Sequence, residues 1–202
     1  MDLIIDTVKK LELMMKNSGC EDSGVVLDVN ADAVPCQFER GAYMTASFGG
    51  RSAEFTTYDP IRANTKISFM FGTPLETPPV RGAAVAIVNV ATGFFCLSRI
   101  LHSCPESSHP ECRRQLLNEL GGKGIFWLGS ISAHDTSFRI TRVNNCQEAD
   151  ILLIDNEGII DKSTGDIIRD YKETTRILCL GPSTAGIARL NQLEHWCPFG
   201  TC

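Results

Sequence analysis

The residues with the clearest chemical potential lie in the last stretch of the chain, residues 176–202. It begins with a short apolar run at 177–180, which is typical of a buried parallel strand. A Gly-Pro pair ends this strand, and the Ser-Thr pair after it can cap the helix that follows. A strand that turns directly into a helix points several backbone N–H groups outward, which suits an anion. The predicted anion-binding residues are Gly181, Pro182, Ser183 and Thr184.

Histidine and cysteine side chains form a second group that could do chemistry. Some lie in a loop near the middle of the chain and the others in the C-terminal tail. Thiolates and imidazoles are ligands that zinc, copper, nickel and iron–sulfur clusters prefer. The spacings match no standard zinc-ribbon or ferredoxin pattern, so the alternative is a set of structural cysteines and a frayed terminus. The predicted cofactor is a transition metal (Zn, Ni, Cu or Fe) or an iron–sulfur cluster, held by His102, Cys104, His109, Cys112, His195, Cys197 and Cys202.

Further polar residues follow the predicted strands of the C-terminal half. Apolar or β-rich runs at 125–128, 138–143, 151–154 and 177–180, with a helical stretch before the last, predict a reduced Rossmann-like parallel layer. Ligands of open α/β sheets bind beyond the carboxyl ends of such strands. Asp, Asn and Gly also favour ordinary turns, but their joint placement at one sheet edge favours a site. We therefore expect a ligand site that adds Gly129, Ser130, Asp155, Asn156, Glu157 and Asn89 to the Gly-Pro-Ser-Thr turn.

Several common chemistries lack their motifs in this chain. The first turn of the parallel layer has no Gly-x-Gly-x-x-Gly fingerprint, and no acid ends the second strand, which argues against a nicotinamide dinucleotide. The same absences weaken the case for an S-adenosylmethionine enzyme. No Walker loop, nucleophile elbow or His-Glu-x-x-His motif is present. The sequence thus indicates a ligand without naming the reaction.

The elements that must position these residues form two unlike halves. An amphipathic helix at 1–17 precedes strands at 25–29, 42–47, 52–57 and 66–71, with a Gly-Gly hairpin between the middle two. A proline-rich segment leads to a long apolar helix at 82–102 and an amphipathic helix at 111–120. We predict an α+β N-terminal domain at 1–80, a buried helix and helical connection at 81–120, and a Rossmann-like domain at 121–202. The gap at 129–137 is barely long enough for a helical crossover.

Composition limits the partners that the protein could have. The formal net charge of −5 and the absence of a Lys/Arg run argue against nucleic acid. Nine cysteines without a signal peptide fit a reducing cytoplasm better than a disulfide framework. Residues 83–101 approach the length of a membrane span, but their Ala and Gly content favours a buried helix and no membrane. Charged residues of the N-terminal sheet, Glu39 and Asp59 among them, could face the cleft, although such charges are usually just solvated.

The chain resembles a family of unknown-function proteins to which heavy-metal chelation has been attributed. The resemblance rests on 151–155, on Gly158 with the two isoleucines after it, and on the 176–184 segment ending in Gly-Pro-Ser-Thr. The Gly-Lys-x-Ile entry at 122–125 and the helix start at 82–89 also look like the family's. The resemblance implies an enolase N-terminal-like domain joined to a Rossmann-like domain, with a site in the cleft between them.

The chain departs from that family in three places. The segment after Gly129 is shorter than the family's first crossover, and the loop at 103–111 and the tail at 195–202 look like additions of a divergent archaeal-type subgroup. The leading hypothesis is binding, and processing, of a metal ion or an anionic metal-bearing cofactor in the interdomain cleft. The alternatives are a metal-independent transferase acting on an anionic small molecule, and a non-catalytic partner protein. A homo-oligomer is expected, and whether the chain is an enzyme stays open.

Overall fold

The computed structural model of the protein describes residues 2–30, 32–129 and 140–202. The described helices are α1 (Leu3–Met15), α2 (Pro78–Phe94), α3 (His109–Leu120), α4 (Asn156–Ile160), α5 (Thr164–Tyr171) and α6 (Ala185–Asn191). The described strands are β1 (Gly24–Asn30), β2 (Ala42–Phe48), β3 (Arg51–Thr57), β4 (Ala63–Lys66), β5 (Gly124–Leu128), β6 (Thr141–Arg142), β7 (Ile151–Ile154), β8 (Arg176–Leu180) and β9 (Glu194–Trp196). The fold is the two-part α/β arrangement that the sequence predicts, with an antiparallel sheet followed by a parallel one.

The antiparallel sheet has the strand order β3-β2-β1-β4, which leaves β3 at one edge. Strands β2 and β3 form the predicted hairpin, and its two turn residues, Gly49 and Gly50, have φ values of 56° and 77°. Positive φ at both central positions is what a tight, right-twisted hairpin needs, and glycine adopts it without strain. Alternate residues such as Met44 and Phe55 are fully buried on the face that packs against α2.

The parallel sheet has the strand order β6-β5-β7-β8-β9. All four residues of β7 are buried, because it lies between two strands and is covered on both faces. Strand β9 was not predicted, since a Glu-His-Trp segment has no apolar run; it pairs with β8 through Cys179 and His195. Part of the strand predicted at 138–143 lies outside the described residues, and Thr141–Arg142 forms the short β6.

Helix α2 packs against β2 and β3 on one side and against α6 on another, and it is buried from Arg81 to Gly93. It ends at Phe94 rather than near residue 102 as predicted. The chain then folds back, so that Leu101 packs directly against Gly93. A Cβ on Gly93 would lie 2.6 Å from the side chain of Leu101. Among the described residues, no helix has the length and apolar character needed to cross a lipid bilayer.

The strand predicted at 66–71 is wrong in position. Strand β4 ends at Lys66, and the apolar run continues as a 3₁₀ turn over Ile67–Met70. Ile67 and Met70 are both buried at a spacing of three residues, so one face of a helical turn covers the core. The alternation that a strand needs is absent here, which the apolar composition alone does not reveal.

Candidate functional site

The parallel sheet ends at its carboxyl edge in a group of buried polar side chains. Asp155 directly follows β7 and is fully buried. Its Oδ1 accepts hydrogen bonds from the backbone N–H groups of Glu157 (2.9 Å) and Gly158 (3.0 Å) and so caps α4. Its Oδ2 accepts a bond from Trp127 Nε1 at 2.9 Å, on the neighbouring strand β5. Asp155 thereby fixes where the backbone of Glu157 lies.

Gly129 approaches this carboxylate more closely than any side chain would allow. It follows β5, and its φ of 140° lies in the region that favours glycine. A Cβ built on it would lie 1.7 Å from Asp155 Oδ1. The structure therefore brings Gly129 and Asp155 together, as predicted for the carboxyl ends of adjacent strands. Ser130, the next predicted residue, lies outside the described residues.

Two of the predicted ligand residues, both buried asparagines, bond to the protein itself. Asn156 Nδ2 donates to the carbonyl oxygens of Arg40 (2.9 Å) and Thr56 (2.8 Å), which joins α4 to the antiparallel sheet. Asn89 Nδ2 donates to the Ser183 carbonyl at 2.9 Å, and its Oδ1 accepts from Gly186 N at 2.8 Å. Both amides thus hold the two halves in a fixed relation.

The turn after β8 holds a carboxylate from the chain itself. The Ser183 N–H donates to Glu39 Oε1 at 2.9 Å, and its hydroxyl donates to Glu39 Oε2 at 2.7 Å. Gly181 has a φ of 84°, and a Cβ on it would lie 2.3 Å from Glu39 Oε1. Pro182 and Thr184 are also buried, and the Thr184 hydroxyl donates to the Gly181 carbonyl at 3.0 Å. The position that the sequence pattern reserves for an anion is thus taken by Glu39.

From the sequence, Glu39 belongs to the charges that are usually solvated, but the side chain is buried and only 1 % exposed. Burial raises its pKa from 4.5 to about 7, although both bonds from Ser183 favour the ionised form, and the charge of Asp155 raises it further. The sequence around Glu39 gives only a weak indication that this side chain is buried. Its near neighbours Cys36 and Phe38 are apolar, and both lie in the core.

Glu157, unlike Asp155 and Glu39, is a carboxyl group that solvent can reach. It is half-buried, and burial followed by the charges of Asp155 and Asp59 raises its pKa to about 7. Its Oε1 is buried and has no hydrogen-bond partner among residues 2–30, 32–129 and 140–202. A carboxyl group in this state holds and releases a proton near neutral pH.

Two adjoining cavities meet at Glu157. One has a volume of about 350 Å³ and the other of about 260 Å³, and both are lined by Glu157 and Asp161. The larger also contains Asp59 and Glu76, together with two cations, each of which is paired: Arg81 with Asp2 at 2.5 Å and Lys162 with Glu76 at 2.8 Å. The smaller is lined in addition by Leu128, Gly129, Gly158 and Thr164. The cleft is therefore acidic.

The predicted metal ligands are divided between separate places. The His102 ring lies against Glu54 and Ser52, whereas His195 Nε2 lies 2.9 Å from the Gly181 carbonyl. Burial lowers the pKa of His195, and Cys202 is exposed. Within the described part of the chain, no three His, Cys, Asp or Glu side chains are placed so that they could hold a metal ion.

Four thiols nevertheless come close to one another. Cys36 and Cys112 share one buried apolar cluster. Gln37 Nε2 donates to the His109 carbonyl at 2.7 Å, which ties the segment that contains Cys36 to α3. Burial, and then the neighbouring Cys104, raises the pKa of Cys112 to about 11. Burial, followed by the charge of Glu39 and those of other thiols, raises the pKa of Cys36 and of Cys197. Cys36 was not among the predicted ligands.

The C-terminal tail reaches the middle loop, as an antiparallel bridge joins His102 to Thr201. His102 N donates to the Thr201 carbonyl at 3.0 Å, and Thr201 N donates back to the His102 carbonyl at 3.0 Å. A Cβ on Gly200 would lie 2.7 Å from Cys197 Sγ, so the tail is closely packed. The tail therefore holds the backbone of His102 in place.

Comparison with known proteins gives one structural likeness. No family model matches the sequence, and no curated protein matches it. A crystal structure of a protein of unknown function from the DUF364 family, from Pyrococcus horikoshii, matches with a TM-score of 0.49 and 13% sequence identity. The match covers 90% of this chain and 79% of that one.

Proposed function

We propose that the protein binds a small molecule with a cationic group in the cleft at the carboxyl ends of β5 and β7, and that Glu157 exchanges a proton with it. The observation that carries this proposal is the state of Glu157, a half-buried carboxyl with a pKa of about 7 and one unpartnered buried oxygen. It lies where ligands of open α/β sheets bind, and it lines both adjoining cavities.

The charge of the cleft supports a cation over an anion. Among the described residues, no ion pair neutralises Asp59, Glu157 or Asp161, whereas both basic residues of the larger cavity are paired with acids. A bound positive charge would lower the pKa of Glu157, because it favours the carboxylate. The anionic cofactor expected from sequence would instead meet repulsion in this cleft, and the turn after β8 already holds Glu39.

The hydrogen bonds of the neighbouring Asp155 leave Glu157 as the carboxyl group that is available for proton exchange. Asp155 accepts three hydrogen bonds from Trp127 Nε1 and the backbone of α4, so it holds the loop rather than a ligand. Glu157 is left to accept a proton from an ammonium group or to donate one to a basic atom. General acid–base transfer by such a group contributes about 10² to 10⁴ in rate.

The test is a thermal-shift titration at pH 7 with primary amines from ethanolamine to spermidine, with Mn²⁺, and with inorganic phosphate. Wild type is compared with Glu157→Gln and with Glu173→Gln, a matched change at a side chain that is 84% exposed. We expect amines to raise the melting temperature of wild type and Glu173→Gln, but not of Glu157→Gln. A shift from Mn²⁺ alone would identify the cation as a metal. A larger shift from phosphate, or an amine shift that survives Glu157→Gln, would contradict the proposal.

A second candidate function is binding of a soft transition metal by Cys36, Cys104, Cys112 and Cys197. It is favoured by the convergence of four free thiols from four separate segments. His109 Nε2 is also buried, with no partner among the described residues. Since these groups are not arranged to hold an ion, binding requires their side chains to move.

Elemental analysis of anaerobically purified protein tests this second function. Wild type is compared with Cys112→Ser and with Cys96→Ser. Cys96 is the control because its thiol is exposed and is not one of the four proposed ligands. The function predicts stoichiometric zinc, nickel, copper or iron in wild type and Cys96→Ser, and loss of metal in Cys112→Ser. Metal-free protein in which all nine cysteines titrate with a thiol reagent would refute it.

A further inference from the structure

We propose that Ser52, His102 and Glu54 form a nucleophilic catalytic site that cleaves esters of small carboxylic acids. Ser52 Oγ lies 3.3 Å from His102 Nε2, and His102 Nδ1 lies 2.7 Å from Glu54 Oε1. This is the order of atoms in which a hydroxyl nucleophile, an imidazole base and an orienting carboxylate work together. The site lies apart from the cleft at Glu157 and does not depend on the function proposed there.

The three side chains are positioned by separate parts of the fold. Ser52 and Glu54 are alternate residues of β3 and therefore lie on the same face of the sheet. His102 is brought to that face by the segment that folds back after α2, since Glu54 N donates to the Leu101 carbonyl at 2.9 Å. The bridge to Thr201 then holds the backbone of His102 in place.

The carboxylate of Glu54 is oriented as a triad requires. It is 7% exposed, and its Oε2 accepts bonds from the Ser103 N–H and from the Ser103 hydroxyl, both at 2.7 Å. Because Oε1 can only accept, the neutral imidazole carries its hydrogen on Nδ1. His102 Nε2 is then left to accept the proton of Ser52.

A substrate can reach Ser52. It is partly exposed and lines an open cavity of about 420 Å³ with Gly24, Ser47 and the hairpin turn. Arg51 lines the same cavity and is exposed, so a guanidinium is available for a negatively charged part of the substrate. The cavity has the size of a small-molecule site.

The reaction balances without any further reagent except water. Ser52 Oγ forms a bond to the ester carbonyl carbon as its proton passes to His102 Nε2, and Glu54 stabilises the resulting imidazolium. The carbon–oxygen bond of the ester breaks, and the departing alkoxide takes the proton from His102. Water, deprotonated by the same nitrogen, then attacks the acyl carbon. The bond from that carbon to Ser52 Oγ breaks, His102 returns the proton to Ser52 Oγ, and the carboxylic acid is released.

The experiment combines labelling with a biotinylated fluorophosphonate and hydrolysis of p-nitrophenyl acetate. Peptide mapping should place the label on Ser52 in folded wild-type protein and find none after heat unfolding. Ser52→Ala and His102→Gln should each abolish labelling and lower kcat/KM at least about 100-fold. Ser107→Ala is the matched control, because Ser107 is an exposed serine that does not line this cavity; it should keep both activities.

Glu54 is a positioning residue, and its role needs a separate readout. Glu54→Gln should lower kcat by about tenfold or more while KM stays unchanged, because the orientation of His102 is disturbed but the cavity is not. Circular dichroism should show that each variant keeps the fold. Folded wild-type protein that takes no label, label on a residue other than Ser52, or unchanged hydrolysis in Ser52→Ala would overturn the proposal.

Discussion

Replacing Glu39 by Gln should remove the loss of stability that ionisation of this one buried carboxyl causes as the pH rises. In the native state the carboxyl is 1 % exposed, and its pKa is raised by burial from 4.5 to about 7. A carboxyl whose native pKa is raised binds more protons in the folded than in the unfolded state between these two values. Stability therefore falls as the pH rises from about 4.5 to 7, and the penalty is fully present above pH 7.

The size of the effect follows from the two pKa values. A shift of one pKa unit corresponds to about 1.4 kcal/mol, so the full penalty on ionised Glu39 is about 3 kcal/mol. Between pH 5 and pH 8.5, Glu39 alone should reduce the free energy of unfolding by roughly 2 to 3 kcal/mol. A Gln side chain has the same shape as Glu, and its carbonyl oxygen can still accept the hydrogen bond from the Ser183 N–H. The Ser183 hydroxyl loses its carboxylate acceptor, which should cost about 1 kcal/mol at every pH.

The assay is urea unfolding of wild type and Glu39→Gln at pH 5 and at pH 8.5, monitored by far-ultraviolet circular dichroism. Other titrating groups act alike in both proteins, so the difference between them isolates Glu39. Relative to wild type, the free energy of unfolding of Glu39→Gln should rise by roughly 2 to 3 kcal/mol between pH 5 and pH 8.5. A difference that does not change with pH, or one that grows in favour of wild type, would show that Glu39 is ionised at little cost in the native state.

Three further substitutions test the contacts that hold the cleft together, each by urea unfolding at pH 7. Gly129→Ala should cost at least about 2 kcal/mol, because its Cβ would lie 1.7 Å from a carboxylate oxygen. Gly122→Ala is the control; it is also at positive φ but has open space around it, so it should cost about 1 kcal/mol. Equal losses would count against the close approach of Gly129 to Asp155. Asp2→Asn should cost about 3 kcal/mol, since Arg81 is 2% exposed and keeps its charge; a loss below about 1 would mean that the Arg81 pair is dispensable. Asn89→Ala should cost about 2 kcal/mol, because the Gly186 N–H and two carbonyls lose their partner in the core, and a neutral result would contradict these bonds.

Much of the fold was predictable because it depends on local patterns. The apolar run of β7, the Gly-Gly hairpin and the buried helix α2 each carry their own periodicity or turn residues. Strand β9 was not predictable in this way. Its Glu-His-Trp residues form no apolar run, and the tail that follows it is anchored by Thr201 to the distant loop at His102.

The site was less predictable, since its properties arise from long-range contacts. The position of Asp155 and Glu157 at the carboxyl edge was predictable, because they directly follow the apolar run that forms β7. The turn at Ser183 has the sequence of an anion cradle, but nothing local shows that Glu39, 144 positions earlier, occupies it. Ser52 and His102 lie 50 positions apart, so their contact follows from where the chain folds back and not from any motif.

The proposed function requires that Glu157 hold a proton near neutral pH at the acidic carboxyl edge of the parallel sheet. The most direct measurement is a carbon-13 NMR titration of the glutamate side-chain carboxyls, with Glu157→Gln and Glu39→Gln used to assign the two resonances. The Glu157 resonance should titrate with a midpoint near pH 7, and the midpoint should fall when a cationic ligand binds. A midpoint near 4.5 would contradict the claim, because Glu157 would then be an ordinary ionised carboxylate with no proton to exchange.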